Sequence, residues 1–531
     1  MRMSMLTTAA GAALIAASAA AATIEVRGSA GSAITAAILR AAPGDTVHLP
    51  AATFVLTEPI RPKSGIKLIG EGIEKSFIVY AGSKPGSMIE IEGCQDLEVA
   101  QLTLDGRKNP LIFQGIVGSR CRRLWLHDLG IRNLVGTKTR GPHAVLFSGR
   151  SPTMDGGVTD SWISNCRIDN IGAGGDFGGG IRLAWGCTRN RILGNTITNT
   201  GRGGIFGDHS AELVIRNNRV SGTGGAGLGI EIGGGCSRSL VENNAVDHWI
   251  SVDQGSQSAV RRNLVGSGDN TLKGCGIEVI ACNVVVTDNL VRRGAQIGLS
   301  VSGKPVKDNV FWGYNTVRDC IQWAARLQGD SGGVTRHYFY RCDFEGTIRG
   351  DAQAQDRGES GHGLRTDGNC RQLVFENCRF RGNGGCGLQL TGRGVDEICL
   401  RHCLISANGL AGVSAPSSYA AIEFTNCKVA GNASDTLPVS KPLPTPPPLA
   451  DFRVPETIRV GEPASFTCTS RAGSGMIVQR LWDFNHGSPE IAASPQRTFD
   501  RPGKYRVTLI VWDSAGRGGR AEKIVEVSAA K

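Results

Sequence analysis

The chain has 531 residues, too many for one ordinary single-core domain and enough for several domains or one elongated repeat. Glycine supplies 74 residues while charged residues make up 20% and aromatics 6%, which excludes a coiled coil; a 40% hydrophobic share excludes wholesale disorder. The net charge of +11 leaves an anionic ligand open, but its Lys and Arg are scattered rather than clustered in blocks, so nucleic acid is not expected.

At the N-terminus, Arg2, an apolar stretch from Leu6 to Ala17 and the small residues Ala20-Ala21-Ala22 before Thr23 form the pattern of an export signal. An Ala-rich helix is the competing reading. Residues 1–22 are therefore expected to be a signal peptide, and the protein to be secreted, periplasmic or cell-surface. No other run reaches the ~18 apolar residues of a membrane span. Next, Ile34 to Ala42 reads as a short amphipathic helix, followed by a Pro-Gly-Asp turn and a strand. Such a helix would cover the open end of a strand stack.

From there a short unit recurs: Asn or Cys, any residue, then Ile, Val or Phe. It stands at Cys166-Arg-Ile168, Asn195-Thr-Ile197, Asn218-Arg-Val220, Asn244-Ala-Val246 and onward to Cys427-Lys-Val429, at intervals of 19 to 36 residues. Leu102-Thr-Leu104 and Leu129-Gly-Ile131 extend the series upstream. A period near 25 residues, with short alternating apolar runs such as GGIRLAW and CGIEVIAC, predicts three strands per coil in a parallel β-solenoid. Adjacent coils stack about 4.8 Å apart, so one sequence position becomes a ladder. Most of the 16 cysteines fall into such ladders, at the anchors, seven or eight residues before them, or at the start of another strand, and read as buried thiols more readily than as disulfides. None has zinc spacing.

The segment Ser32 to Gly72, ending in SGIKLIGEG and followed by LEVAQLTLDG, resembles the opening of right-handed parallel β-helix proteins of the pectate-lyase-like superfamily. The resemblance spans about Ile24 to Asn432 and implies an all-β fold: a right-handed parallel β-helix of about 12 coils with an N-terminal capping helix, followed by a small β-sandwich. It does not specify activity, since that superfamily holds lyases, hydrolases, epimerases, tailspikes and adhesins. Residues 433–450 are Pro-rich, a stiff extended linker. Residues 451–531 alternate as TIRV, ASFTCTS, VQRLWDF, KYRVTLIVWD and KIVEVS. With Trp482-Asp-Phe-Asn-His-Gly487 and Trp512-Asp-Ser-Ala-Gly516 they resemble the polycystic-kidney-disease-type (PKD) β-sandwich, although Asn485-His486 stands where that family has Gly-Asp. The resemblance implies a spacer or adhesion module.

Chemistry is sought on one strand aligned by its inward pairs, from Ile181/Leu183 through Ile230/Ile232 and Ile277/Val279 to Leu388/Leu390. Alternation then points Arg182, Phe206, Glu231, Ser251, Glu278 and Arg365 outward, with Asp208, Asp253 and Asp367 at the next outward position. Glu231 and Glu278, like Asp208 and Asp253, fall about 9–10 Å apart, and diagonal pairs about 8 Å. Such spacing suits an inverting glycoside hydrolase, and mutual repulsion favours one raised carboxyl pKa. His209 is a candidate base, Arg182 and Arg365 candidate anion clamps, and Trp185 and Trp249 candidate sugar platforms. A solvated solenoid face explains the same residues, and a one-residue slip of register would invert them.

Gly361-His-Gly363 reads as a turn, and Gly207-Asp-His-Ser210 only partly echoes the Asp-Pro-His-Asp signature of mannuronan epimerases. His127 and His248 read as packing residues. Asp351, Asp356 and Glu359 lie in a polar insertion that is either a calcium site or simply solvated; no other cofactor is indicated. The expectation is an exported, monomeric, polysaccharide-degrading hydrolase or lyase, the substrate being neutral or anionic. A non-catalytic adhesion protein with the β-helix as scaffold is the alternative.

Overall fold

Apolar residues at every second position, punctuated by Gly, Asn and Asp, commit this backbone to short strands joined by tight turns. The computed structural model describes residues 20–530 apart from 136–140, 174, 176–177, 225–226, 248, 267–273, 294–295, 304–306, 330–331, 349–359 and 420. Most of the expected signal segment, His248 and the insertion with Asp351, Asp356 and Glu359 lie outside the described residues.

Among the described residues the strands form three parallel sheets of 16, 15 and 13 strands, wound as a β-helix. That exceeds the expected 12 coils. Two early coils, with strands Ala52–Leu56 and Ser76–Tyr80, put Phe54 and Ile78 at the inward position without an Asn or Cys anchor to announce them. The interior is a set of stacked aliphatic ladders; Ile131, Ile168, Ile197 and Val220 are successive rungs of one, all buried. A helix at Gly31–Arg40, three residues upstream of the expected start, turns Ile34, Ala37 and Ile38 inward over the first coil.

The anchor asparagines form a hydrogen-bonded ladder. From Asn195 through Asn218, Asn244, Asn263 and Asn289 to Asn315, each Nδ2 donates to the next Oδ1 at 3.0 Å. Each backbone N–H donates to the same oxygen, so one side chain satisfies a turn whose amide would otherwise be buried alone. Cys342 takes over as the next rung, accepting from Asn315 Nδ2 at 3.8 Å. All 16 cysteines are free thiols, most of them buried. Gly361-His-Gly363 is not a turn: it leads into the strand His362–Asp367, where buried His362 accepts from Cys386 N at 2.9 Å through Nδ1.

The C-terminal residues form a small antiparallel domain whose main sheet joins Ile477–Asp483, Gly503–Asp513 and Gly518–Val527. The expected strand at TIRV contributes a bridge from Arg459 to Ser528 instead. Phe452, Phe466, Trp482, Phe484 and Phe499 fill its core. This domain lies against the outer face of the 16-stranded sheet. Leu481, Ile510 and Trp512 pack on Leu240, Val285, Phe311 and Tyr338, and Arg520 lies over the Tyr340 ring. The Pro-rich segment runs along the same side, with Lys441 N donating to Ile422 O at 2.9 Å.

Candidate active groove

The expected register holds. Ile181, Ile205, Ile230, Ile250, Ile277 and Leu299 are direct partners in the 13-stranded sheet, and so are Arg182, Phe206, Glu231, Ser251, Glu278 and Ser300. One rung absent from the sequence alignment intervenes before Leu364: Ala325, with Arg326 outward. Ala184 pairs with Asp208, and Asp208 with Gly233.

A cavity of about 700 Å³ opens on this face, lined by Arg182, Phe206, Asp208 and Glu231 among the expected residues. Glycines shape its floor. A Cβ on Gly233 would stand 3.0 Å from Glu231 Oε1, and one on Gly234 would stand 2.4 Å from Asp208 Oδ1. The two carboxylates therefore occupy space above neighbouring glycines that side chains would fill.

Burial pushes the Glu231 carboxyl up to about 7; nearby Asp253, Asp208 and Glu278 add to the rise and Arg202 opposes it. Asp208 is held from two sides. Arg182 Nη2 donates to Oδ2 at 2.8 Å, and His209 Nδ1 meets Oδ1 at 2.5 Å. The His209 ring stacks on Trp185 with centroids 4.0 Å apart, so imidazole and indole brace each other at the groove edge. Trp185 thus presents its face to His209 rather than standing free.

The remaining expected residues lie farther along. Asp253 is raised by burial and by Glu278. Glu278 is buried and accepts from Trp249 Nε1 and Ser251 Oγ, both at 3.1 Å, and from Ser302 Oγ at 2.7 Å. Those donors tie Glu278 and Trp249 to each other, and the Trp249 ring covers Gly274. Arg365 sits several coils away, donating to Asp367 Oδ1 at 2.8 Å, and Arg326 grips the other oxygen at the same distance.

Sequence reasoning missed His143, Gln114 and Arg202, which line the same cavity. Burial, with Arg182 nearby, lowers the His143 pKa to about 3, so its imidazole is neutral; the His143 backbone N–H donates to Gln114 Oε1 at 2.9 Å. Extending the strand alignment two coils upstream, through Val145 to Ile116, would have found His143 and Gln114, whereas Arg202 lies just before the Gly203–Asp208 strand and outside its alternating positions. Among the described residues no group of three or more His, Cys, Asp or Glu side chains is placed to hold a metal ion. No described helix is long and apolar enough to cross a membrane.

Comparison with known proteins agrees with this architecture. The family model for a right handed beta helix region matches residues 144–265 and 314–437, and that for a PKD domain matches 445–528. Among curated proteins, Collagenase ColQ1 of Bacillus cereus (strain Q1) is 38% identical over 58 residues, which span 11% of this chain and only 6% of the collagenase. Among solved structures, an alginate lyase from Paenibacillus sp. str. FPU-7 is 18% identical, with a TM-score of 0.41 over 50% of this chain and 94% of its own. The A-module of an Azotobacter vinelandii mannuronan C-5 epimerase is 13% identical, with a TM-score of 0.40 over 76% of this chain and 95% of its own. The PKD1 domain of a Vibrio cholerae metalloprotease is 30% identical, with a TM-score of 0.14 over 15% of this chain and 98% of its own. The chain is a right-handed parallel β-helix protein that carries a C-terminal PKD domain.

Proposed function

We propose that this protein cleaves a polysaccharide in the groove of its 13-stranded sheet by general acid–base catalysis, with Glu231 as proton donor and Asp208 as the partner carboxylate. The observation that carries this reading is the Glu231 carboxyl, held at about 7 in the same cavity as Asp208. A carboxyl in that range is protonated often enough near neutrality to donate to a glycosidic oxygen and strong enough as an acid to do so quickly. Asp208, fixed by Arg182 and His209, then activates water or meets the developing oxocarbenium charge. Phe113 and Phe206 give the cavity apolar surface for a sugar ring.

One observation favours a second chemistry, β-elimination of a uronate. Asp208 and His209 form a carboxylate–imidazole pair that would orient His209 as base, while Arg182 and Arg202 neutralise the sugar carboxylate. The proton beside that carboxylate would leave to His209, and Glu231 would protonate the departing oxygen. Export goes with either chemistry, supported by the charged, apolar, then small-residue order of the first 22 residues.

The test is incubation with neutral and uronate polysaccharides, reading reducing ends and unsaturated-uronate absorbance together, with Glu231→Gln alongside. New reducing ends without absorbance, lost in the variant, support hydrolysis; both signals together support elimination. Silence across the panel, or full activity in the variant, overturns the proposal and favours an adhesion scaffold.

A further inference from the structure

The outer face of the 16-stranded sheet carries one unbroken ladder. It runs from Glu98 through Trp125, Trp162, Arg191 and Val214 to Leu240 and continues beneath the PKD domain to Cys399. The covered part is apolar, as a buried interface requires. The uncovered part should then be polar, and most of its neighbourhood is. At its centre, however, two adjacent rungs are tryptophans, Trp125 at 45% and Trp162 at 37% exposure.

These rings are set in an ordered polar frame. Trp125 stacks on His127 with centroids 4.0 Å apart, and His127 is fixed by Glu98 at 3.1 Å and Asp128 at 2.6 Å. Arg123 grips Asp96 through two bonds, as Arg189 grips Asp160. Arg191, the next rung, is exposed and has no ion-pair partner among the described residues. At the far side the PKD domain stands as a wall, anchored by Arg238 to Glu490 at 3.1 Å.

We propose that Trp125 and Trp162 form a second glycan-binding site, a flat platform that holds an extended polysaccharide chain outside the catalytic groove. Trp125 keeps one face on His127, but the indole surface that both tryptophans leave exposed accepts the C–H face of a pyranose, and the surrounding Arg and carboxylate groups match its hydroxyls. Adjacent rungs about 4.8 Å apart suit successive sugars of a chain running along the helix axis. A protein partner fits poorly. Two half-exposed tryptophans offer roughly 200 Å² of apolar surface, against about 800 Å² per partner in a stable protein interface. The platform lies around the corner from the groove: Gly179–Ala184 in the groove sheet is followed, after a short turn bearing Trp185, by Arg191–Leu193 in the platform sheet. The ligand class is shared with the groove reading, but the residues are not.

The test is native affinity electrophoresis of the full chain through gels containing hydroxyethylcellulose, xylan, alginate or polygalacturonate, with size-exclusion chromatography in parallel. Retardation is expected in at least one gel. It should weaken roughly tenfold in Trp125→Ala/Trp162→Ala, weaken less in Trp125→Tyr/Trp162→Tyr, and persist in Glu231→Gln. A thermal melt matching that of the native chain shows that the variants fold, and the Tyr pair carries the test if the Ala pair does not. The inference is overturned by no retardation in any gel or by unchanged retardation in the tryptophan variants. It is equally overturned if Glu231→Gln loses binding, or if the variants merely turn a dimer into a monomer. Failure of the groove reading would show differently, as absent cleavage with platform binding intact.

Discussion

Arg261 Nη2 lies 2.8 Å from Asp483 Oδ1, with the two side chains 0% and 1% exposed, so an ion pair sealed from solvent joins the β-helix to the PKD domain. The contact lacks hydrogen-bond geometry: Arg261 Nε, Nη1 and Nη2 and Asp483 Oδ2 have no hydrogen-bond partner among the described residues. Burial accordingly pulls the Arg261 pKa down, against the pull of Asp483 and Glu242. A pair of this kind contributes little net stability, yet removing one member is costly because the other charge is left buried alone. Asp483→Ala should therefore destabilise the full chain by about 3–5 kcal/mol, and Arg261→Met/Asp483→Leu should recover most of that loss. Denaturant melts of the two variants check it, and equal losses would mean the pair is well bonded after all.

The Glu231 carboxyl yields a prediction with a sign. Its pKa is about 7 in the folded chain against 4.5 for an ordinary Glu carboxyl, so the folded state holds the proton more tightly than the unfolded one. Relative to a neutral side chain, ionised Glu231 costs nothing below pH ~4.5, costs progressively more up to about 7, and carries its full penalty above that. Glu231→Gln should match the native chain in stability at pH 4 and exceed it at pH 8 by an amount on the order of 3 kcal/mol. The same variant should abolish cleavage, whose native rate should fall as pH rises through about 7 with loss of the acid form. Melting curves at the two pH values decide it; a native chain that gains stability on Glu231 between pH 5 and 8 would contradict the burial argument.

How much of this was legible in the sequence can be read from particular residues. The groove register was, because inward Ile181, Ile205, Ile230 and Ile277 repeat as apolar–x–apolar pairs, and the pleat then dictates that Arg182 and Glu231 face out. The Trp323–Gln328 rung escaped because its inward residue is Ala325, too small to stand out as a core position. His143 stands two positions before inward Val145, on a coil upstream of the Ile181/Leu183 pair with which the apolar–x–apolar series opens. The PKD docking face has its own signature in the sequence, continuous apolar runs. Val284–Thr287 and Val310–Trp312 are buried at every position rather than alternating, which is the mark of strands covered on both faces. What pairs with what across that interface, as Arg261 with Asp483, depends on three-dimensional placement and has no local sequence signature.

The Asn ladder makes a more local claim. Asn263 Oδ1 accepts from the backbone N–H and the Nδ2 of Asn244, while its own Nδ2 donates to Val241 O at 3.1 Å. Asn263→Ala would orphan these buried groups at about 1–3 kcal/mol each. The expected result is a clearly lowered thermal midpoint for the chain, while Arg219→Ala, at an exposed strand position beside the ladder, should scarcely move it. Equal effects would mean that water replaces the side chain in the turn.

The two glycines beneath the groove can be separated by substitution. Gly234 and Gly235 both have left-handed backbone, at φ 56° and 85°, so alanine at either strains the chain by roughly 1–2 kcal/mol. Their surroundings differ. At Gly234 the new Cβ would stand 2.4 Å from Asp208 Oδ1 and 2.7 Å from His209 Nδ1; at Gly235 the first atom met is Gln254 O at 3.9 Å. Gly234→Ala must therefore push the Asp208–His209 pair out of place, and Gly235→Ala need not. If that pair serves the reaction, both variants should lose stability, Gly234→Ala the more because of the added clash, while only Gly234→Ala loses most of kcat. Measured beside each other on the same polysaccharide, they separate a reacting carboxylate from one that merely sits on the wall: equal activities would remove Asp208 and His209 from the mechanism.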